Sequence, residues 1–331
     1  MADPNQIKSV KELGRRDILL CVAREKESSR LWVGSSDSKV YVVDPLAEKP
    51  DVAEMTGHEG YVMGVALAGE VAVSGAYDGR LIWWDIKTHS QVRTVEAHQR
   101  NIRKVLATPD AKQIVSIADD MVCRVWDAAS GSLVHELRGH QEKTPQHFIS
   151  MLYACAISAD GRHLATADKV GHVVVWSLAD GKQVAALEAP EHYTWDPTQR
   201  RHSIGGIRSL AFSPDGNTLA IGGMAKVGNI DHLGGQALLH LYDWQKGERL
   251  LQIESDKFKG LVQHLSFHPS GAWLLAAGGD NSGFYWFLDP QTKKTIHHDK
   301  APMHVHQFAQ DESGDTIYAA GHGKVTIWKL G

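Results

Sequence analysis

One pattern recurs seven times along this 331-residue chain and constrains its fold more than any other feature. Each copy is a short run of β-branched and aromatic residues, and two copies, at 84–85 and 126–127, end in Trp-Asp. The ends of successive copies lie 41, 42, 50, 66, 46 and 40 residues apart, which indicates a repeat architecture with a period of about 40 to 45 residues. The copies are Val40–Asp44, Leu81–Asp85, Cys123–Asp127, Val173–Ser177, Leu239–Asp243, Tyr285–Asp289 and Val325–Lys329.

The composition of the copies is that of β-strands. A turn cluster follows several of them, such as Ala128-Ala-Ser-Gly131 after the third copy. Upstream of each copy lies a second signal, for example Ile207–Gly216 followed by Leu219–Gly223, which predicts strand, turn and strand. No helical period is sustained over a dozen residues. The sequence therefore predicts an all-β chain.

The motifs within the repeats resemble those of the WD-repeat β-propeller family. The Trp-Asp endings, the dipeptides Gly57-His58 and Gly139-His140, and the Ser-Pro-Asp-Gly turn at 213–216 carry the resemblance, which covers essentially the whole chain. It implies an all-β, seven-bladed β-propeller of four-stranded antiparallel blades, with residues 1–331 forming a single domain. The amino-acid sequences of the turns at 158–161 and 213–216 resemble those of bacterial members of the family.

The last repeat stops soon after its third strand, so its fourth strand must come from elsewhere. Residues 7–13 precede the first repeat and have the composition of the missing outer strand. Because open sheet edges invite aggregation, we expect this segment to close the last blade.

Charge and composition exclude several classes of function. A net charge of −4 gives no basic footprint for nucleic acid and no attraction to an anionic membrane. The start of the chain lacks the features of a secretory signal, and no apolar run is long enough to span a bilayer. The three cysteines have no close pair, which fits a reducing compartment. We expect a cytoplasmic protein.

Two repeats contain a His, a Ser, an Asp and a Trp that resemble the buried hydrogen-bonded chain of the family. This set could be mistaken for a Ser-His-Asp catalytic triad, but two tandem copies, each beside a Trp, favour a structural role. The predicted networks are His58, Ser74, Asp78 and Trp84, followed by His98, Ser116, Asp120 and Trp126.

The pattern is incomplete in the other repeats. In the fourth, His140, Thr166 and Trp176 match, but Val170 stands at the Asp position. These blades are expected to rely more on apolar packing. The remaining departures are Tyr242 for Trp in the fifth repeat, Phe258 for His in the sixth, His322 in the turn of the seventh, and Asp37 as the only member kept in the first.

Nineteen histidines raise the possibility of a metal site. His297, His298, His304 and His306 cluster in the sequence, and His304 and His306 would share one strand face. No carboxylate or cysteine at ligand spacing completes the set, so we predict no metal and no cofactor.

Three insertions lengthen the fourth and fifth repeats: residues 141–149, 190–201 and 222–236. By the strand order of the family, all three open on one face. The segment Glu191-His-Tyr-Thr-Trp-Asp196 contributes Tyr193 and Trp195, aromatic residues of the kind found at binding hot spots. A loop packed only on itself is the structural alternative.

In the family that the chain resembles, the inner strand of each blade borders a central channel. By this resemblance, residues flanking the first apolar position of each inner strand line the mouth of the channel on the face that carries the insertions. The inserted loops and the channel mouth together are the predicted partner-binding site. The channel-mouth residues are Tyr61, Met63, Asn101, Arg103, Met151, Tyr153, Arg208, Leu261, Gln263 and His304.

The function implied by the resemblance is a non-catalytic scaffold, monomeric on its own, that binds another protein or a peptide. The alternative is a propeller enzyme or metal-binding protein with its site at the central channel. That alternative requires convergent carboxylates and histidines on the inner strands, where the sequence instead offers Arg, Tyr, Gln and Asn. Nucleic-acid binding is disfavoured by the charge.

Overall fold

The computed structural model describes residues 2–198, 200–280 and 282–331. Met1, Asn281 and Gln199, the last of which falls in the predicted 190–201 insertion, lie outside the described residues. Two short 3-10 helices, η1 at Pro4–Gln6 and η2 at Pro190–His192, interrupt an otherwise β structure. In the part of the chain that the structure describes, no helix has the length and hydropathy needed to cross a membrane.

The strands are numbered in chain order. The first fourteen are β1 Lys8–Arg24, β2 Leu31–Ser35, β3 Val40–Val43, β4 Val52–Met55, β5 Val62–Ala68, β6 Val71–Ala76, β7 Arg80–Asp85, β8 Gln91–Glu96, β9 Ile102–Ala107, β10 Gln113–Ala118, β11 Cys123–Asp127, β12 Leu133–Leu137, β13 Leu152–Ile157 and β14 His163–Asp168. The others are β15 His172–Ser177, β16 Gln183–Glu188, β17 Tyr193–Asp196, β18 His202–Gly205, β19 Ser209–Phe212, β20 Thr218–Met224, β21 Gln236–Asp243, β22 Glu248–Lys259, β23 Leu261–Phe267, β24 Leu274–Gly279, β25 Gly283–Asp289, β26 Lys294–Ala301, β27 Val305–Gln310 and β28 Thr316–Lys329.

The chain divides into two units, one formed by Met1–Glu136 with Val305–Gly331 and the other by Leu137–His304. The first unit contains the sheets β27-β28-β1-β2-β3-β4, β5-β6-β7-β8 and β12-β11-β10-β9. The second contains β13-β14-β15-β16, β19-β20-β21-β22, β23-β24-β25-β26 and the two-stranded hairpin β17-β18. Four-stranded antiparallel sheets of this kind are the blades of a β-propeller, so the predicted fold class is confirmed at that level.

The burial of the strands explains the sequence pattern that marked each repeat. The third strand of a sheet, such as β7, is buried along most of its length, which is why it is a continuous apolar run. The outer strand β8 is largely exposed, and four of its six residues are polar. Within each unit, clusters of buried side chains join neighbouring sheets; Trp83 and Leu81 of β7, for example, share a cluster with Ile102 and Val105 of β9.

The predicted number of seven separate blades is corrected by the sheet topology. The described strands form six sheets of four or more strands, five of them four-stranded and one six-stranded. The reason is β1, whose residues from Lys8 to Gly14 pair with residues 324–329 of β28, while those from Leu19 to Arg24 pair with β2. One continuous strand therefore joins the pairing of the last repeat to that of the first.

Gly34 of β2 lies close to Cys21 and Val62, so we expect that a side chain added at this position lowers stability. In Gly34→Ala the new Cβ would clash with the sulfur of Cys21 and would lie 2.8 Å from the carbonyl oxygen of Val62. We expect the free energy of unfolding in urea, followed by tryptophan fluorescence, to fall by about 1–3 kcal/mol because the core is overpacked.

The matched control is Gly14→Ala in β1 of the same sheet, where no atom lies within 4 Å of the new Cβ. This substitution should change the free energy of unfolding by no more than about 0.5 kcal/mol. Equal losses in the two variants would show that the packing around Gly34 is not the cause.

Candidate functional site

Six of the described strands have a register shift at an equivalent place, where each pairs with the next strand of its repeat. These strands are β1, β5, β9, β13, β23 and β27. A β-bulge of this kind leaves one residue unpaired and re-aims its side chain. Met63, Arg103, Tyr153 and Gln263 of the predicted set occupy this position and are half-buried. Arg208 directly precedes β19 in the corresponding repeat. Leu20 of β1 and His306 of β27 lie at the same bulge position, and the sequence analysis did not include them in the predicted site.

Other members of the predicted set are placed differently. Tyr61 is exposed, and Asn101 and Met151 are half-buried. Leu261 and His304 are only 4% and 6% exposed, and Nδ1 of His304 lies 2.7 Å from the carbonyl oxygen of Asp280. The bulge adds a residue that the alternating sequence pattern does not show, so the register assigned from sequence differs from the observed one at these strands.

In the first unit, the guanidinium of Arg103 is held by internal contacts. Its Nε and Nη2 donate to the two carboxylate oxygens of Asp119, at 2.8 and 2.6 Å. It also donates to the hydroxyl of Tyr77 and lies 4.8 Å from the centre of that ring, which in turn stacks on Tyr61 with ring centroids 5.5 Å apart. The charge of Arg103 is therefore largely compensated within the protein.

In the second unit, Arg208 has no such carboxylate. Its guanidinium lies 3.6 Å from the centre of the Tyr153 ring, and its buried Nη1 has no hydrogen-bond partner among the described residues. In the register of β19 and β20, Met224 stands where Asp119 stands beside Arg103, and Met224 is fully buried. Among the residues that the structure describes, Arg208 is thus a positioned cation that rests on an aromatic face and has no carboxylate partner.

The three insertions contact one another in the second unit. The Tyr193 hydroxyl donates to Oε1 of Gln146 at 2.9 Å, and the Trp195 ring lies 5.1 Å from that of Phe148. The backbone N–H of Val227 donates to Oγ1 of Thr194 at 3.0 Å. Residues 141–149, the hairpin segment of residues 190–198 and 200–205, and residues 225–235 therefore form one surface, which we call the ledge.

The ledge displays apolar side chains to solvent. Phe148 and Ile149, which sequence reasoning missed, are 46% and 53% exposed, while Tyr193 and Trp195 are half-buried. A cluster of exposed apolar and aromatic side chains on a raised surface is typical of an interaction site. No local pattern in 141–149 identified Phe148, because its contact with Trp195 joins residues far apart in the sequence.

The two predicted structural networks are assembled by hydrogen bonds in the first unit. Nδ1 of His58 lies 3.0 Å from Oδ2 of Asp78, its Nε2 lies 2.8 Å from Oγ of Ser74, and Nε1 of Trp84 donates to the same oxygen at 2.8 Å. The second network repeats this arrangement with its His, Ser, Asp and Trp at similar distances. Its members are His98, Ser116, Asp120 and Trp126.

The electrostatics of these networks favour ionised carboxylates, and in the second network burial also favours a neutral imidazole. Burial alone would raise the pKa of Asp78, but hydrogen bonds from His58 and from the backbone N–H groups of Glu59 and Arg80 outweigh it and hold the pKa well below its usual range. Burial lowers the pKa of His98, against the opposing effect of Asp120. Ser74 is fully buried, so its hydroxyl is not presented to a substrate as a nucleophile would be.

The fourth repeat completes the same network with a residue that the sequence comparison did not identify. Val170 stands at the expected Asp position, but Oδ2 of Asp168, two residues earlier, lies 3.1 Å from Nδ1 of His140. Thr166 Oγ1 links Nε2 of His140 and Nε1 of Trp176. The expectation that this blade lacks the carboxylate is therefore wrong, because the turn supplies it from a neighbouring position.

Other repeats replace the network by different contacts. Tyr242 donates its hydroxyl to the carbonyl oxygen of Glu188 at 2.9 Å, and Phe258 stacks on Phe284 with ring centroids 5.4 Å apart. In the first repeat, Asp37 accepts a hydrogen bond from the hydroxyl of Tyr41. These contacts stabilise the turns or fill the space that the buried histidine occupies elsewhere.

The clustered histidines have separate surroundings. The ring of His298 lies 5.6 Å from that of Phe258, that of His297 lies 5.9 Å from Tyr285, and that of His306 lies 5.0 Å from His322. Within residues 2–198, 200–280 and 282–331, no group of three or more His, Cys, Asp and Glu side chains could hold a metal ion.

A model of a known repeat family matches four segments of the chain. Its description is "WD domain, G-beta repeat", and the matched residues are 50–85, 89–127, 196–226 and 251–286. Four matched segments do not by themselves support the predicted count of seven repeats. They do support the assignment of the Trp-Asp motifs to this kind of repeat.

Curated proteins with similar sequences are larger than this chain. Telomerase protein component 1 of Mus musculus is 25% identical over 266 residues, 80% of this chain but 9% of that protein. Apoptotic protease-activating factor 1 of Rattus norvegicus is 30% identical over 48% of this chain and 12% of its own length. Nuclear distribution protein nudF of Aspergillus niger is 24% identical over 82% of this chain and 60% of its own length. These relatives are mammalian and fungal, and they give no support to a bacterial origin.

The buried networks predict a stability effect of removing one hydroxyl. Ser74→Ala leaves Nε2 of His58 and Nε1 of Trp84 buried without their partner, so we expect the free energy of unfolding to fall by about 1–3 kcal/mol. Urea unfolding measures the change. The control is Ser132→Ala, at an exposed turn position, which should lie within about 0.5 kcal/mol of the wild type. A fully stable Ser74→Ala variant would contradict the structural role.

Proposed function

We propose that this chain belongs to the WD40-repeat family and is a non-catalytic scaffold, which binds another protein or a peptide through the ledge and through Tyr153 and Arg208 of the same unit. The observation that carries the proposal is the contact between three separate insertions, which together hold Phe148, Ile149 and Trp195 at the surface. Insertions in repeat proteins usually concentrate on the binding face. The names of the similar proteins, which include a protein component of telomerase and a nuclear distribution protein, agree with roles in protein assembly.

We propose further that residues 1–331 form one domain in which all seven sequence repeats are structural units. The six-stranded sheet contains both Val40–Val43 of the first repeat and residues 325–329 of the last, which supports two repeats sharing β1. A cytoplasmic location is proposed from the composition, since Cys21, Cys123 and Cys155 are buried free thiols. We also propose that the protein is a monomer in the absence of its partner.

Arg208 supplies the polar part of the proposed recognition. Arg103 at the equivalent position is compensated by Asp119, whereas Arg208 rests on the ring of Tyr153 without a carboxylate. A guanidinium fixed by an aromatic face is ready to bind a carboxylate with charge-assisted hydrogen bonds. We therefore propose a partner segment that combines an acidic group with an apolar side chain.

Removal of the apolar surface should abolish capture of partners. In Phe148→Ala/Trp195→Ala we expect partner recovery, measured by quantitative mass spectrometry of pull-downs, to fall at least about tenfold, because aromatic anchors dominate binding energy at interfaces. The circular dichroism spectrum should be unchanged.

The matched control is Val184→Ala, an apolar residue 48% exposed on the outer strand β16 of the same unit. It should recover partners as the wild type does. The same partners in equal amounts from all three proteins would exclude the ledge as the binding surface.

The acidic component is tested separately by Arg208→Gln. We expect recovered partners to bind about tenfold more weakly and with a smaller dependence on salt between 50 and 300 mM, since a charge pair is lost. Arg162→Gln, an exposed arginine of the same unit paired with Asp160, is the control. Unchanged salt dependence in Arg208→Gln would exclude a carboxylate at this position.

A further inference from the structure

Two histidines at the base of the ledge are buried without hydrogen bonds. His192 and His240 are 1% and 0% exposed, and their rings lie 4.7 Å apart. All four ring nitrogens lack a hydrogen-bond partner among the described residues. The buried imidazoles of His58, His98 and His140, in contrast, are bonded at both nitrogens. Such an exception within one protein requires a physical explanation.

His192 is the residue that attaches the β17-β18 hairpin to the sheet behind it. It ends η2 immediately before β17, and its carbonyl oxygen accepts from the backbone N–H of Gly206, just after β18, at 2.6 Å. Its ring packs against bare backbone, since a Cβ at Gly223 would lie 2.6 Å from Nδ1. His240 belongs to β21, so the two rings pair the hairpin with the sheet.

The charged groups facing the pair do not offset the effect of burying a positive charge there. Glu191 favours a charged His240, but its carboxylate accepts no hydrogen bond from either ring, and its Oε1 accepts one from Nη1 of Arg249 at 2.8 Å. Arg249 itself disfavours a charged His240, and Tyr242, whose ring lies 6.0 Å from that of His240, donates its hydroxyl elsewhere. The neighbours of His240 across the sheet, Ile221 and Gln252, are neutral.

We propose that His192 and His240 form a pH-sensitive latch, which holds the hairpin against β21 while both rings are neutral and releases it when they are protonated. In the closed state the rings pack as uncharged aromatic groups. Two imidazolium rings at this separation would repel each other, and the carboxylate that favours a charged His240, that of Glu191, is already paired with Arg249. Opening the hairpin exposes both to water, where protonation is favourable.

The direction of the pH dependence follows from the burial. Burial lowers the pKa of His192 well below 6.5, as does the nearby His240, and burial lowers the pKa of His240 itself to about 4. The released histidines regain a pKa near 6.5. The closed latch is therefore most stable above about pH 6.5 and becomes less stable as the pH falls toward about 4. Over this range the equilibrium constant for opening rises roughly tenfold per pH unit for each histidine.

The latch would regulate the proposed binding site, because the hairpin carries Tyr193 and Trp195 of the ledge. That regulatory meaning rests on the proposed function, whereas the latch itself does not. Its test therefore measures hairpin opening directly and needs no partner. Partner capture that is unaffected by opening would count against the ledge as the binding surface and would leave the latch intact.

The test is hydrogen–deuterium exchange of the full chain from pH 7.5 to 5.0, with exchange rates corrected for their intrinsic pH dependence. We expect protection of the β17-β18 amides to fall about 30-fold or more between pH 6.5 and 5.0, relative to β14-β15 of the same unit. In His192→Leu/His240→Leu, this pH dependence should disappear, since neither side chain can be protonated. Trypsin cleavage after Arg200 or Arg201 should follow the same pattern.

Two controls keep the result interpretable. His202→Gln removes an exposed histidine of the same hairpin and should retain the pH dependence of the wild type. Where the double variant does not fold by circular dichroism, His240→Gln alone should weaken the pH dependence by about half on a logarithmic scale. Equal protection at pH 7.5 and 5.0 in the wild type, or an unchanged pH dependence in a folded variant, would overturn the proposal.

Discussion

The antiparallel pairing of β1 is the interaction on which the first unit depends. Its first part completes the pairing of β28 at the end of the chain, and its second part begins the pairing with β2. A bulge between Leu19 and Cys21 and an irregularity after Gly14 let one backbone serve both. The strand edges that the last and first repeats would otherwise leave unpaired are thereby satisfied within one sheet.

The sequence predicted those features that depend on local composition. Strand type and repeat period follow from residue types at regular spacing, whereas the network of His58, Ser74, Asp78 and Trp84 was implied by the family resemblance. The number of separate sheets was not predictable, because nothing in residues 7–24 indicates that the backbone continues from one pairing partner to the next. Asp168 was missed for a related reason: a network needs a carboxylate at a point in space, and a turn can supply it from more than one sequence position.

The candidate site shows the same division. The period of the repeats located the three insertions, since extra length between two strand signals must leave the sheet. The contacts among them, such as Phe148 with Trp195 and Thr194 with Val227, are tertiary and carry no sequence signal. Arg103 and Tyr153 were predicted as channel-mouth residues, but the bulges at which they lie were not predicted, and neither was the equivalent position of His306, because one unpaired residue shifts the alternation of every residue before it.

The repeats provide internal references that show what is unusual at the ledge. The charge of Arg103 is compensated by Asp119, and the ring of His140 is bonded at both nitrogens. Arg208 and His192 lack these partners, and they flank the β17-β18 hairpin on either side in the sequence. Polar groups left unsatisfied in one repeat, when the same fold satisfies them in others, are a cost to stability that packing alone does not require. The concentration of that cost around one inserted hairpin is the strongest physical reason to place function there rather than on the regular blades.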